Sequence, residues 1–156
     1  MIILGIDPGT AATGYGVIRV KSGLACLGYG TIKTGPLSTM AERLKKLYDE
    51  MNKLINKYKP NVLAVENVYF FKNMKTAMPV SQAKGVILLA AAKKNIPVRE
   101  FTPLQMKMAL TGYGRAEKKQ VQGMVRLLLN LKETPKPDDA ADALGIAICC
   151  QPPTTL

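Results

Sequence analysis

Ile2-Ile3-Leu4-Gly5-Ile6-Asp7-Pro8-Gly9 decides the fold. An unbroken apolar run this short reads as a strand covered on both faces. It closes on a carboxylate, and Pro8-Gly9 suits the central positions of a type II turn. A carboxylate at the mouth of a buried strand is costly unless a cation meets it. Val62-Leu63-Ala64-Val65-Glu66 repeats the arrangement downstream, and Asp139 and Asp142 form an acidic pair near the end of the chain.

Working outward from the first strand, residues 13–20 alternate, with Gly14, Gly16, Ile18 and Val20 on one face. The two glycines allow close backbone approach. Lys21-Ser22-Gly23 turns the chain into a third strand, 24–33, and the three segments form an antiparallel meander. Thr39-Met40-Ala41-Glu42 is a capping box. After it Leu44, Leu47, Tyr48, Met51, Ile55 and Tyr58 fall at helical spacing up to Lys59-Pro60. Residues 62–65 are a short buried strand, and 67–79 are expected to be a loop. A very apolar helix is predicted over 80–94, a strand over 97–101, and a helical turn near Pro103. A glycine-bearing loop, 111–114, leads to an amphipathic helix, 117–130, with Val121, Met124, Val125 and Leu128 inward. The last helix spans 138–150. Three strands, then alternating helices and strands, predict an α/β fold: a five-stranded mixed sheet with helices on both faces.

The chain has 156 residues, so a single domain over 1–156 is expected. Lys and Arg number 22 against 11 Asp and Glu, a net charge of +11, which favours polyanionic partners. The chain has no histidine, which excludes Ser-His and Cys-His catalysis and imidazole zinc sites. Its three cysteines read as reduced core thiols of a cytoplasmic protein. No apolar run is long enough to span a membrane, and no basic stretch precedes the first apolar segment as in a secretory leader.

Most of the eleven acids have an ordinary reason to exist. Glu42 caps a helix, and Asp49 and Glu50 lie off the apolar stripe. Glu100 alternates outward on a strand, Glu117 sits in a helix's first turn, Glu133 is in a loop, and Asp138 suits an N-cap. Asp7, Glu66, Asp139 and Asp142 are left. Asp7 and Glu66 emerge at one edge if their strands are parallel neighbours, and one helix face presents Asp139 and Asp142. Four converging anions need a cation, and magnesium fits an all-oxygen set that leaves room for substrate phosphate. Basic residues around such a site point to phosphodiester chemistry on a nucleic acid.

With these residues in place, the chain resembles the bacterial Holliday-junction resolvases of the RuvC family. The resemblance rests on Ile3-Leu4-Gly5-Ile6-Asp7-Pro8-Gly9-Thr10, Thr13-Gly14-Tyr15-Gly16, Glu66, Lys72-Asn73, Gln82-Ala83-Lys84-Gly85 and Asp138-Asp139-Ala140-Ala141-Asp142-Ala143-Leu144. It implies a ribonuclease H-like fold, a homodimer, and symmetric nicking of four-way junction DNA in recombination and repair. It implies 5′-phosphate and 3′-hydroxyl ends, with Mg2+ as cofactor, two ions per site, and Mn2+ able to substitute. It makes Asp7, Glu66, Asp139 and Asp142 the catalytic, metal-holding acids. Asp139 is aligned because it keeps the three-residue spacing to Asp142, and Asp138 stays open as a substitute. It also implies a branch-migration partner of the RuvA and RuvB type. Lys107 and Lys118, with Arg115 and Lys119, resemble backbone-binding residues. Tyr69 or Phe70, beside Lys72, suits stacking at the crossover. Lys84 stands where the family often has arginine. The 80–94 helix, apolar nearly all round, is expected to be deeply buried or shared across a twofold interface.

Other functions fit less of the chain. Sugar kinases and actin-like ATPases also open with a strand and Asp-x-Gly-Thr, but need a second such domain and a second glycine-rich phosphate loop. A ribonuclease H-like nuclease acting on RNA shares the acids. A non-catalytic DNA-binding module offers no reason for them.

Overall fold

The computed structural model describes residues 1–67 and 74–152. Ten elements follow in order: β1 (Ile2–Asp7), β2 (Ala12–Val20), β3 (Leu24–Lys33), α1 (Met40–Tyr58), β4 (Val62–Glu66), α2 (Met74–Ala92), β5 (Val98–Phe101), α3 (Pro103–Thr111), α4 (Lys118–Leu128) and α5 (Asp138–Cys149). The strands form one sheet in the order β3-β2-β1-β4-β5. β1, β2 and β3 make the expected antiparallel meander. β4 joins β1 in parallel, with Gly5 opposite Ala64 and Ile6 opposite Val65, and β5 joins β4 in parallel.

Alternation along the strands divides the core in two. Ile3, Ile18, Val62 and Ala64 face Met106, Val121, Val125 and Leu144 of α3, α4 and α5. Leu4, Ile6, Val17, Leu63 and Val65 face Met51 and Ile55 of α1 and Ile87 of α2. Each fully buried aliphatic side chain contributes about 1.5–3 kcal/mol, so both layers are firmly held. The mixed sheet with helices on both faces is the architecture expected.

Several details differ. Asp7 leads into a turn without a left-handed glycine, since Gly112 is the only described glycine with positive φ, so Pro8-Gly9 is not a type II turn. Gly9 serves close approach instead: a Cβ there would lie 2.1 Å from the Ala12 carbonyl oxygen. α2 begins at Met74, so 74–79 is helix rather than loop, and Pro79 lies inside it. Pro79 is the sixth residue, past the first turn, so its missing N–H costs the helix one i→i−4 bond. α3 is a full helix of nine residues rather than a single turn. Thr102 and Gln105 form its capping box, Pro103 opens it, and Gly112 closes it in the left-handed conformation (φ 71°). Glu117 is the N-cap of α4, one position before its first turn. Asp138 is the first residue of α5, whose N-cap is Pro137. Leu128 is 40% exposed, and Leu129, the C-cap of α4, is buried where Leu128 was expected to be. α2 is not buried all round: Met78 and Leu89 stand exposed.

The three cysteines are free; Cys150 is a core thiol, whereas Cys26 and Cys149 are half-buried. Burial pushes the Cys149 thiol up to about 12, which makes it inert. No described helix is long and apolar enough to cross a membrane.

Candidate active site

α5 lies directly on the backbone of β1 and β2, and three glycines make this possible. A Cβ at Gly5 would sit 2.1 Å from the Ala143 carbonyl oxygen, and one at Gly14 would sit 2.0 Å from that of Asp139. At Gly16 it would strike Leu144 at 2.7 Å. Gly14 is the register partner of Asp7. Asp139, seated over Gly14, therefore stands beside Asp7 because no side chain separates helix from strand. Three residues on, Asp142 follows on the same helix face.

Glu66 reaches the site from the other side. Asp7 and Glu66 each end their strand one step beyond the paired Ile6 and Val65, on the face that packs against α5. Asn67, directly after Glu66, is fixed by its N–H to the Phe101 carbonyl (2.7 Å). On the Asp7 side, the buried Thr13 hydroxyl donates to the Gly9 carbonyl (2.8 Å) and sets the path of the following loop.

The electrostatics are those of crowded anions out of water. Burial raises the Asp7 pKa far above the carboxylate range, reinforced by Glu66, Asp142 and Asp139. The Asp7 and Glu66 carboxyls stand within hydrogen-bonding reach, a pairing that raises Asp7 and lowers Glu66. Burial also raises Glu66; Asp142 adds to this, while the bond to Asp7 and the charge of Lys118 oppose it. Asp142, its side chain 20% exposed, is raised by burial and partly relieved by Lys118. The Lys118 Nζ lies 3.3 Å from Asp142 and 3.2 Å from Asp138. Burial pulls the Lys118 ammonium down, but these carboxylates outweigh it and its pKa is raised.

The acids converge without forming a finished cage: among the described residues no three His, Cys, Asp or Glu side chains stand in ligating geometry. Asp7 is paired with Glu66, and Asp142 with Lys118. The donor set is all carboxylate oxygen, which suits a hard divalent ion, and raised carboxyl pKa values are the expected mark of anions awaiting one.

The predicted basic residues fall in different places. Lys107 and Lys118 line a cleft of about 230 Å³ together with Glu66, Asp142, Pro103 and Met106. Arg115 is exposed between α3 and α4. Lys119 lines a separate hollow on the outer side of α4. Lys84 is bonded to Glu100 (2.6 Å) and Asn67 (3.1 Å). Tyr69, Phe70 and Lys72 lie outside the described residues. Asp138, exposed, accepts from Gln122 (3.1 Å) and Lys118, so it borders the acid cluster through Lys118 and stands outside it. Sequence reasoning missed Gly5 as a seat for α5; the small residues Ala143 and Ala147, which meet it, were the available signal.

A ribonuclease H-like sheet whose central strands and last helix deliver acids to one edge, beside lysines, defines a metal-dependent nuclease. Comparison with known proteins narrows the class. The family model for crossover junction endodeoxyribonuclease RuvC matches residues 3–150. Crossover junction endodeoxyribonuclease RuvC of Heliobacterium modesticaldum is 53% identical over 151 residues, covering 96% of this chain and 93% of the relative. The RuvC structure of Thermus thermophilus superimposes with a TM-score of 0.90 at 36% identity, covering 96% of this chain and 92% of that one. The same organism's RuvC in complex with Holliday junction substrate gives 0.91 at 37%, with the same coverage. The chain belongs to the RuvC family of crossover junction endodeoxyribonucleases.

Proposed function

We propose that this chain binds four-way junction DNA and nicks two opposed strands, with Asp7, Glu66, Asp139 and Asp142 as the catalytic acids. The observation that carries the assignment is the seating of α5 on Gly14, which brings Asp139 against Asp7 where β4 delivers Glu66. The acids would hold Mg2+, two ions per site, with Mn2+ able to substitute; once bound, the ions supply Lewis-acid polarisation of the scissile phosphate and lower the pKa of water. Asp7, central between Glu66 and the α5 acids, would contribute to holding both ions. Burial holds Asp7 toward its protonated form, so ion binding would compete with that proton. Lys118 then leaves Asp142 and Asp138 and turns its ammonium to the negative charge of the phosphate, while Lys107 holds the strand at the cleft mouth. The products would carry 5′-phosphate and 3′-hydroxyl ends, ready for sealing.

Two opposed nicks need two sites related by a twofold axis, so we assign a homodimer. α2 supports it: Met78 (73% exposed), Gln82, Gly85 and Leu89 (54% exposed) follow one another at helical spacing, and a Cβ on Gly85 would meet nothing within 4 Å. A stripe exposed among the described residues, apolar at Met78 and Leu89 with a glycine between them, suits close approach of a second copy. Tyr69 or Phe70, immediately downstream of β4, would stack at the crossover with Lys72 on the backbone. Arg115 would add a backbone contact. A cytoplasmic site of action and a branch-migration partner of the RuvA and RuvB type rest on the family alone.

The test is a synthetic four-way junction with and without magnesium. The wild type nicks it only with the ion. Asp7→Asn lowers nicking by on the order of a thousandfold while junction binding persists, because phosphate contacts dominate affinity. Full cleavage by Asp7→Asn removes Asp7 from the mechanism.

A further inference from the structure

A hollow of about 560 Å³ lies on the outer side of α4, past the acid cleft. Lys119, Gln122, Gly123 and Arg126 recur along one face of α4, and Lys132 and Lys136 close the hollow from the segment before α5. One acid, Glu133, shares the rim with these four cations. All four cations are exposed, and none has an ion-pair partner among the described residues.

Two further observations point to a ligand. The first is Gly123. It sits in the middle of α4, where glycine is among the least favourable residues, and a Cβ there would meet nothing within 4 Å. Packing therefore does not require glycine at this position, unlike Gly5, Gly14 and Gly16. A bare helix backbone lining a cationic hollow is what close approach of a ligand needs. The second is continuity with the acid cleft. Gln122, on the rim, donates to Asp138 (3.1 Å), and Asp138 is bridged by Lys118 to Asp142. The hollow thus begins one side chain beyond the acid cluster. From Lys119 to Arg126 the helix rises about 10 Å, enough to meet successive phosphates on a strand that rises ~3.4 Å per nucleotide.

We propose that this hollow holds the sugar-phosphate backbone of one duplex arm of the junction. The inference rests on the junction-nuclease reading above and adds to it a second anchoring surface. Contacts of this kind carry no sequence information; they fix register and angle. Here they set how an arm leaves the cleft, so that the strand at the acids is presented in one orientation.

The experiment measures binding of the full-length protein to a fluorescent four-way junction, without divalent metal, across a salt series, together with hydroxyl-radical footprints. Arg126→Ala combined with Lys132→Ala reduces the slope of log affinity against log salt by about 1.8 and weakens binding about tenfold. The same variant loses protection of one arm's backbone and keeps protection at the crossover. Gly123→Ala melts about 2–4 °C higher, because alanine favours the helix, yet binds the junction several-fold more weakly. Lys53→Ala, on α1 and paired with Glu50, controls for simple loss of charge and keeps the arm footprint. A double variant with unchanged slope and arm footprint, beside a wild type that binds and nicks, overturns the inference alone. So does Gly123→Ala if it melts higher and binds as tightly as wild type. A wild type that neither binds nor nicks the junction overturns the underlying reading, and the inference falls with it.

Discussion

The two faces of the sheet share the same strands and do different work. On the α1/α2 face, Leu4, Ile6, Val17, Leu63 and Val65 meet large aliphatic side chains, and shape tolerance is that of an ordinary core. On the α5 face, Gly5, Gly14 and Gly16 let a helix rest on bare backbone. Large side chains can repack around a change, whereas a helix lying on backbone has no room to adjust. Both faces store stability, but only the α5 face also fixes a helix on bare backbone, and the period of two along a strand separates neighbouring residues between them.

The largest expected effect separates the faces directly. Gly14→Ala puts a methyl group 2.0 Å from the Asp139 carbonyl oxygen, so α5 must lift and carry Asp139 away from Asp7. A displacement of order 1 Å costs about a hundredfold in turnover. Leu63→Ala, on the other face, removes a fully buried side chain and costs about 2–5 kcal/mol of stability. Turnover of its folded fraction should match wild type. Single-turnover nicking at a temperature where both variants are folded, paired with urea unfolding, reads both quantities. Equal turnover losses in the two variants would break the distinction between the faces.

How much of this was legible beforehand follows from the same physics. The strands at 2–7 and 62–66 announce themselves because burial on both faces demands unbroken apolar runs. Their terminal acids stand out because no other residue of either strand is polar. Gly14 and Gly16 were legible as close approaches, and the small residues Ala140, Ala141 and Ala143 suit a last helix packed tightly on the sheet; which glycine meets which helix residue was not legible, since sequence spacing carries no register. α3 was read as no more than a helical turn near Pro103, although Thr102, Pro103, Gln105 and Gly112 mark both its ends. Only Met106 and Leu110 of its side chains are buried, so its periodicity was faint. The early start of α2 was hidden by Pro79, which reads as a beginning and lies inside. Lys84 and Lys118 looked alike in sequence. Only the fold shows one locked to Glu100 and the other lying across Asp138 and Asp142.

A smaller effect sharpens the comparison through pH. Asp7 holds its proton more tightly when folded than when unfolded, because burial and three neighbouring acids raise its pKa. The folded state therefore binds more protons above the ordinary carboxylate pKa of about 4, and stability falls as pH rises. This applies to the metal-free protein. Asp7→Asn should remove much of that slope and melt higher than wild type near neutral pH. With magnesium present the sign reverses for wild type, since the ion competes with the protons. Melting curves at pH 5, 7 and 8.5, with chelator and with magnesium, decide it. A metal-free wild type whose melting temperature rises across this range would show that the acids are not crowded in the folded chain.

The smallest effect concerns Lys84, which sits at the boundary between holding structure and holding DNA. Its ammonium is only partly exposed and meets Glu100 and Asn67. Asn67 directly follows Glu66, so the bond steadies the end of the strand that delivers a catalytic acid. An ion pair of this exposure contributes about 0.2–1 kcal/mol. Lys84→Met keeps the apolar stem and should lower stability by no more than that. If the ammonium serves mainly to anchor Asn67, the salt slope of junction binding stays at the wild-type value and turnover falls several-fold as Glu66 loosens. If instead Lys84 leaves Glu100 to meet a phosphate, the slope drops by about 0.9 and turnover at saturating junction is kept. The geometry favours the first outcome, because an approaching phosphate would have to compete with a carboxylate already 2.6 Å from the ammonium.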